Sequence, residues 1–254
     1  MSRALTDTKI MFNRNLVKTM RSPEAMTMAL VVPIVMMLLF GFVFGGVAGD
    51  VDGFSYINFI IPGIILQCVC NMSSATSFAV HSDMTKGIFD RFRSMRISKV
   101  AFLSGHALLS ILRSFIITAI IIGASFIVGF RPVAGFVDWL IVVGIMTLFI
   151  TCITWITVIF GLISKDGESL NGINFLLVII SFLSSGFTPV ESLPWALRIF
   201  ATHQPMTHVI DATRALLLGW PAGNSIWLAL AWCIGIAVVC CLIAVRIYRK
   251  KLTV

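Results

Sequence analysis

Charge is scarce in this sequence, and negative charge scarcest. Only 12% of its 254 residues are Asp, Glu, Lys or Arg, and 11 of these are acidic. A soluble domain carries about 25% charged residues, so half that density excludes a disordered chain and argues against an ordinary soluble enzyme. Catalytic signatures are missing as well. There is no G-x-x-x-x-G-K-[ST] phosphate loop, no G-x-S-x-G elbow and no H-E-x-x-H pair. The chain therefore has no recognisable ATP site of its own and is not expected to be an enzyme. His203 and His208 are five apart with Pro205 between them, a poor spacing for a metal, and no metal site is expected. The six Cys, at 68, 70, 152, 233, 240 and 241, all fall in apolar runs. They read as small hydrophobes and not as a disulfide framework.

What is present is hydrophobic: 58% of residues, with a mean hydropathy of +1.00. A helix needs about 20 apolar residues to cross a bilayer. Intervals free of Asp, Glu, Lys and Arg run over 25–49, 53–80, 139–164 and 169–190. Two more, 100–130 (broken only by Arg113) and 215–245, complete the set, the last trimmed by Gly219, Pro221 and Gly223. These intervals predict an all-α integral membrane protein with six spans, at about 25–46, 56–80, 104–129, 139–163, 170–187 and 226–247. An even number of spans puts both termini on one side. Residues 1–24 are basic without an apolar core, so no cleavable signal peptide is expected. Of 19 Lys and Arg, fifteen fall in the N-terminal segment, the 82–99 loop, the loop at Lys165 and the tail. Only Arg131, Arg198 and Arg214 fall on the opposite side. The positive-inside rule then places both termini in the cytoplasm, with residues 248–254 as a cytoplasmic tail.

The segments between spans differ in character. Leu5, Ile10, Phe12, Leu16 and Val17 are interleaved with basic residues, a pattern suited to a helix lying in the membrane interface with its cations near head groups. The alternative is a basic tail that only sets topology. Arg21-Ser22-Pro23 ends that helix and turns the chain into the first span. In the 82–99 loop, Ile88, Phe92 and Met95 recur at i, i+4 and i+7 among Asp90, Arg91, Arg93 and Arg96. This predicts a short amphipathic helix, which either inserts into a groove on a cytoplasmic partner or packs on head groups. Beyond the fifth span, Ser192 is placed to cap a short helix with Pro194 in its first turn, and Thr207 to start a second, closed by Gly219. Two apolar helices too short to span suggest re-entrant elements, with Asp211 and Arg214 paired at i, i+3.

Inside the six expected spans there is no acid, which points away from proton or cation coupling. Arg113 either snorkels toward the cytoplasm or meets a substrate anion, and His106 is placed for a head-group or loop contact. Thr147, Thr151 and Thr154 on the fourth span, with Gln67 and Asn71 on the second, either line a polar path or cement helix contacts. Gly41-x-x-x-Gly45 permits a close helix crossing.

The stretch from Gly87 through Ile88, Phe89, Asp90, Arg91, Phe92, Arg93, Ser94, Met95 and Arg96 to Ile97 resembles the cytoplasmic signature of ABC-2 type transporter permeases, nearest the daunorubicin/doxorubicin-resistance branch. The outer stretches 185–195 and 203–214, with Arg21-Ser22-Pro23, Pro33 and Gly41–Gly46, are similar to that family as well. The resemblance implies a permease that pairs with itself or a sister chain and recruits two cytoplasmic ATPase subunits, which would supply the ATP and Mg. It implies that residues 87–97 are the coupling helix, so that Gly87, Phe89, Asp90, Arg91, Phe92, Arg93 and Arg96 contact the ATPase. The N-terminal interfacial helix would touch the ATPase too. Arg96 departs from the family's usual Pro, which would let this helix run a turn longer.

The implied function is ATP-driven export of hydrophobic or amphipathic compounds, antibiotics or lipid-like molecules, across the cytoplasmic membrane of a prokaryote. The outer helix pair would form a gate around Phe187, Trp195 and Phe200, with Pro189, Glu191, Pro205, Asp211 and Arg214 shaping it. Export of polysaccharide or lipid-linked glycan is a second reading, disfavoured by only two Tyr, Tyr56 and Tyr248. A membrane anchor or sensor that tethers an ATPase without transport is a third. The excess of positive charge describes topology and partner docking, with no call for nucleic acid.

Overall fold

The structure is a computed structural model that describes residues 3–20, 23–44, 50–51, 54–85 and 99–253. Helix α1 spans Arg3–Met20. Helix α2 opens on Pro23, runs to Leu38 and continues π-helically over Leu39–Phe44. A two-residue hairpin, β1 Asp50–Val51 against β2 Phe54–Ser55, leads into α3, Tyr56–Thr85. Then come α4 Lys99–Val128, α5 Phe136–Ile163 and α6 Gly167–Phe182. A 3₁₀ turn at Val190–Ser192, short helices α7 Trp195–His203 and α8 Pro205–Leu218, and α9 Ser225–Thr253 complete the described chain. Except for the hairpin, the regular structure among the described residues is helical.

Four of these helices, Tyr56–Thr85, Ala101–Val128, Phe136–Ile163 and Ser225–Lys251, are long and apolar enough to cross a membrane. Leu30–Val43 and Gly167–Phe182 are apolar but shorter. The bundle is arranged inside out relative to a soluble protein. Helix α3, which carries Gln67, Asn71, Ser73 and Thr76, is the innermost, and α2, α4, α5, α6 and α8 all pack on it. Helix α9, the most apolar of the four, is the least buried and exposes Trp227, Leu228, Val238 and Leu242. That inversion is expected where the outer solvent is hydrocarbon and small polar residues hold the helices together.

Close approaches fix the packing. A methyl group on Gly63 of α3 would lie 2.5 Å from the carbonyl oxygen of Gly186 and 2.6 Å from its Cα. The chain following α6 therefore lies directly on α3 at this point. Gly161 of α5 meets α3 in the same way, with the Ser77 carbonyl 2.5 Å from where its Cβ would be. Gly41 faces Ile57 of the same chain at 3.0 Å, so the half of the glycine pair that is described serves an internal crossing; Gly45 lies outside the described residues.

The ends of the helices depart from the expected spans for identifiable reasons. Helix α5 starts at Phe136 because Asp138 accepts from the Gly135 N–H at 2.8 Å and caps the first turn. Helix α3 continues past Val80 to Thr85 and so carries Asp83 within it. Helix α9 runs on through its basic end to Thr253, where Lys250 and Lys251 suit the negative pole of the helix. Helix α6 stops at Phe182, five residues short of the expected 187. There the Ser181 and Ser184 hydroxyls donate to the Val178 and Ser181 carbonyls and compete with the next helical turn. At 16 residues α6 is about 24 Å long, less than the roughly 30 Å of a hydrocarbon core.

Candidate functional site

The residues expected around an outer gate fall into two groups. Arg214 of α8 is 4% exposed and ties three segments together. Its Nε donates to the Phe59 carbonyl of α3 at 3.1 Å, and its Nη1 to Asp211 Oδ1 at 3.0 Å. Its Nη2 donates to the carbonyl of Ser185 in the turn after α6. The guanidinium also lies 3.9 Å from the centre of the Phe59 ring, a cation–π contact. Ser185 closes the triangle, its hydroxyl donating to the same Asp211 oxygen at 2.6 Å. Burial pushes the Asp211 carboxyl up, while the Ser185 hydroxyl and Arg214 hold it down. Burial brings Arg214 down to about 10, still charged at neutral pH. A cavity of about 230 Å³ opens beside this cluster, with Pro189, Glu191, Asp211 and Arg214 in its wall.

Phe187, Trp195 and Phe200 are not brought together there. Phe187 is buried, stacked on Phe182 at 4.8 Å and tilted against Phe40 at 5.2 Å, and its carbonyl accepts from the Tyr56 hydroxyl at 2.9 Å. Trp195 and Phe200 are exposed on α7. The caps differ from expectation too. Ser192 sits in the 3₁₀ turn, its hydroxyl donating to the Pro189 carbonyl, and Pro194 is the residue before α7. Helix α8 starts at Pro205, two residues before Thr207, because Pro suits a first helical position; it ends on Gly219 in the left-handed region, φ 70°, as expected.

Of the polar residues singled out in the spans, Thr154 makes a bond between helices and Thr147 and Thr151 bond within their own. Thr147 and Thr151 donate back to the Val143 and Thr147 carbonyls of their own helix, at 2.6 and 2.7 Å. Thr154 bonds Ser110 across to α4 at 3.1 Å. Gln67 is buried and Asn71 half-buried on α3. Among the described residues no group of three His, Cys, Asp or Glu could hold a metal ion. The coupling-helix candidates Gly87, Phe89, Asp90, Arg91, Phe92, Arg93 and Arg96 lie outside the described residues.

At the opposite end of α3 the structure assembles a cluster that periodicity did not disclose. Asp83 is fully buried. Arg14 of α1 grips its two oxygens at 3.0 and 3.3 Å, Lys18 reaches Oδ1 at 3.2 Å, and His106 Nε2 of α4 lies 3.2 Å from Oδ2. His106 is therefore a buried internal partner, 3% exposed, and not a head-group contact. Arg14 and Lys18 turn to the bundle too, while staying partly exposed. The inward face of α1 is Met11 and Asn15, with Thr8 bonded to Ser104 of α4 at 3.1 Å and Gly105 beneath Met11. Leu5, Ile10 and Val17 are exposed, and Phe12 and Leu16 half-buried. Arg113 does not snorkel: its Nη2 donates to the Met72 carbonyl at 2.6 Å and to Thr76 Oγ1 at 3.1 Å, both on α3. The readable signal for this cluster was Asp83 itself, the lone acid between Asp52 and Asp90, with two cations one turn apart on α1.

Comparison with known proteins places this architecture. The family model for the ABC-2 type transporter matches residues 6–218. The daunorubicin resistance ABC transporter permease protein DrrB1 of Streptomyces coeruleorubidus is 29% identical over 223 residues, covering 86% of this chain and 77% of that one. The probable doxorubicin resistance ABC transporter permease protein DrrC of Mycobacterium tuberculosis is 24% identical over 249 residues, covering 98% of this chain and 90% of its own.

Proposed function

The chain belongs to the ABC-2 type transporter family, and on that premise we propose that it is the membrane-spanning permease subunit of an ATP-driven exporter of hydrophobic or amphipathic compounds. The observation that carries the reading is the family match over residues 6–218, which takes in most of α1, helices α2 to α6 and the α7–α8 pair, and stops before α9. The relatives named as daunorubicin and doxorubicin resistance permeases support a drug-like or lipid-like amphiphile as cargo.

In this reading α2 and α6, the two shorter apolar helices, complete six spans of a domain over about 25–247 in a prokaryotic cytoplasmic membrane. Residues 1–24 and 248–254 are then cytoplasmic, and α7–α8 sits at the outer side. Two such permeases, identical or sister chains, pair and dock two ATPase subunits, which hold ATP and Mg. The loop after α3, with Gly87, Phe89, Asp90, Arg91, Phe92, Arg93 and Arg96, is the ATPase handle. ATP binding in the partners closes the permeases and drives cargo outward past α7–α8, where the exposed Trp195 and Phe200 face its route.

The test is reconstitution of the chain with its ATPase in proteoliposomes, scored for ATP-dependent daunorubicin uptake into inverted vesicles and for stimulated hydrolysis across a panel of amphiphiles. Uptake or stimulation is expected. No transport and no stimulation by any compound, with the ATPase still bound, would replace the exporter reading with that of an anchor. Replacing Phe92 and Arg93 together by Ala is expected to abolish ATPase co-purification or transport while membrane insertion is kept. Unchanged transport by that variant would remove the handle assignment.

A further inference from the structure

Between α1, α3 and α4, beside the Asp83 cluster, lies a half-open cavity of about 290 Å³. Met72 and Phe78 of α3 and Leu109 of α4 give it apolar walls. Polar side chains reach it from all three helices, among them Asn15 and Lys18 of α1, Thr76 of α3, and His106 and Arg113 of α4. Two of them have unmet hydrogen-bonding capacity. Asn15 is 4% exposed, yet neither its amide nitrogen nor its amide oxygen has a partner. Arg113 spends Nη2 on Met72 and Thr76, but its Nε–H has no partner. Leaving a buried donor unpaired is costly, and leaving a cation without a counter-charge in an apolar surround more so.

The charges settle the sign of what fits. Asp83 is the acid that meets the cavity lining, through Lys18 and His106, and Arg14 grips it as well. Among the described residues no carboxylate pairs with Arg113. The cavity therefore carries surplus positive charge. Guanidinium presents a planar fork suited to carboxylate or phosphate oxygens, and the Asn15 amide adds a donor from the facing helix. The volume sits at the low end of the roughly 300–1,000 Å³ typical of whole drug-sized ligands, so it suits a small head group and the first part of an attached chain. Its apolar walls are wasted on a free inorganic anion.

We infer that the α1–α3–α4 cavity is a binding site for the acidic head group of an anionic amphiphile, with Arg113 and Asn15 on the oxyanion and Met72, Phe78 and Leu109 on the start of its tail. The site stands whether or not that amphiphile is the exported cargo.

The full-length chain, purified in maltoside micelles, is titrated with dodecyl phosphate, inorganic phosphate and dodecyltrimethylammonium, with binding read by native mass spectrometry and by the shift in thermal unfolding. Dodecyl phosphate is expected to saturate at one per chain, with the other two at least about tenfold weaker. Arg113→Gln is expected to weaken dodecyl phosphate by about tenfold or more, as expected for loss of a charge-assisted contact. Asn15→Leu should weaken it by less. Ala79→Leu narrows the same cavity while leaving every cation in place, so it carries the test if Arg113→Gln does not fold; it too should lose binding. Equal binding of the cationic amphiphile, or unchanged affinity in Arg113→Gln or in Ala79→Leu, would overturn the site. Inorganic phosphate binding as tightly as dodecyl phosphate would overturn the amphiphile and leave a free-anion site.

Discussion

Replacing Gly63 by Ala tests the packing on which the α7–α8 end depends. The added methyl would stand 2.5 Å from the Gly186 oxygen, 2.6 Å from its Cα and 2.7 Å from its carbonyl carbon. An ordinary contact needs at least 3.4 Å, so the backbone after α6 must withdraw by about 0.9 Å. No flexible side chain is available to yield, because both partners are glycine. Overpacking of this kind costs about 1–3 kcal/mol, or about 2–12 °C in unfolding midpoint for a chain of this size. The withdrawal also lifts Ser185 away from Arg214 and Asp211, and with it the three-way tie at that end. The control is Gly144→Ala on α5, where nothing lies within 4 Å of the new methyl. A mid-helix Gly-to-Ala change there should stabilise by up to about 1 kcal/mol. Thermal unfolding of both variants in maltoside micelles, read by intrinsic Trp fluorescence, separates them by a difference of opposite signs. If Gly63→Ala unfolds at or above the midpoint of Gly144→Ala, the close approach of α3 to the turn after α6 is wrong.

Arg214→Leu should destabilise by about 2–4 kcal/mol, since it strips partners from the Phe59 and Ser185 carbonyls and from Asp211. Arg214→Lys should recover less than half of that in the same unfolding assay, because an ammonium cannot reach three acceptors in the plane of a fork. Asp83→Asn should cost only about 1–2 kcal/mol, as Arg14 and Lys18 are partly exposed and can turn to water. Its clearer readout is limited trypsin digestion, which should cut after Arg14 and Lys18 several-fold faster once α1 is released; an unchanged rate would show that the ion cluster does not hold α1. Tyr56→Phe removes one buried hydrogen bond, to the Phe187 carbonyl, and should lower stability by about 1 kcal/mol in chemical denaturation.

The positions of the helices were legible because hydropathy dominates membrane folding, and charge-free intervals mark where the chain can sit in lipid. Their ends were not, because charged residues cap helices as readily as they end spans: Asp138 starts α5 and Asp166 caps α6, accepting from the Ser169 N–H. The pairing of Asp211 with Arg214 could be read from its i, i+3 spacing, but the Phe59 and Ser185 carbonyls that complete the site are distant in sequence and leave no pattern. Helix α1 hides its inner face altogether. Leu5, Ile10, Phe12, Leu16 and Val17 suggested a helix in the membrane interface, and nothing in their spacing disclosed that the helix docks on the bundle through Met11, Asn15 and two cations on Asp83. A helix held by long-range ion pairs has no apolar period to betray its inner face.

Both ends of the molecule are organised on the same element. Phe59, which receives Arg214, and Asp83, which receives Arg14, Lys18 and His106, lie 24 residues apart on α3. At 1.5 Å per residue that is about 36 Å, slightly more than the hydrocarbon thickness of a bilayer. A push on α1 can reach the α7–α8 end along this helix without passing through any loop. The one interruption is Pro62, which cannot donate to the Asn58 carbonyl and so loosens one rung of the helix. The missing rung joins Asn58 to Pro62, so a hinge in α3 would lie just before the Gly63–Gly186 contact. The turn after α6 spans that point: it touches Gly63 on one side and is tied to the first turns of α3 by Tyr56 and Arg214 on the other. Restoring the missing rung with Pro62→Ala should leave both ends folded yet stiffen that hinge. The expected outcome is slower ATP-driven transport with α1 still protected from trypsin, and transport at the original rate would mean that the hinge is not used.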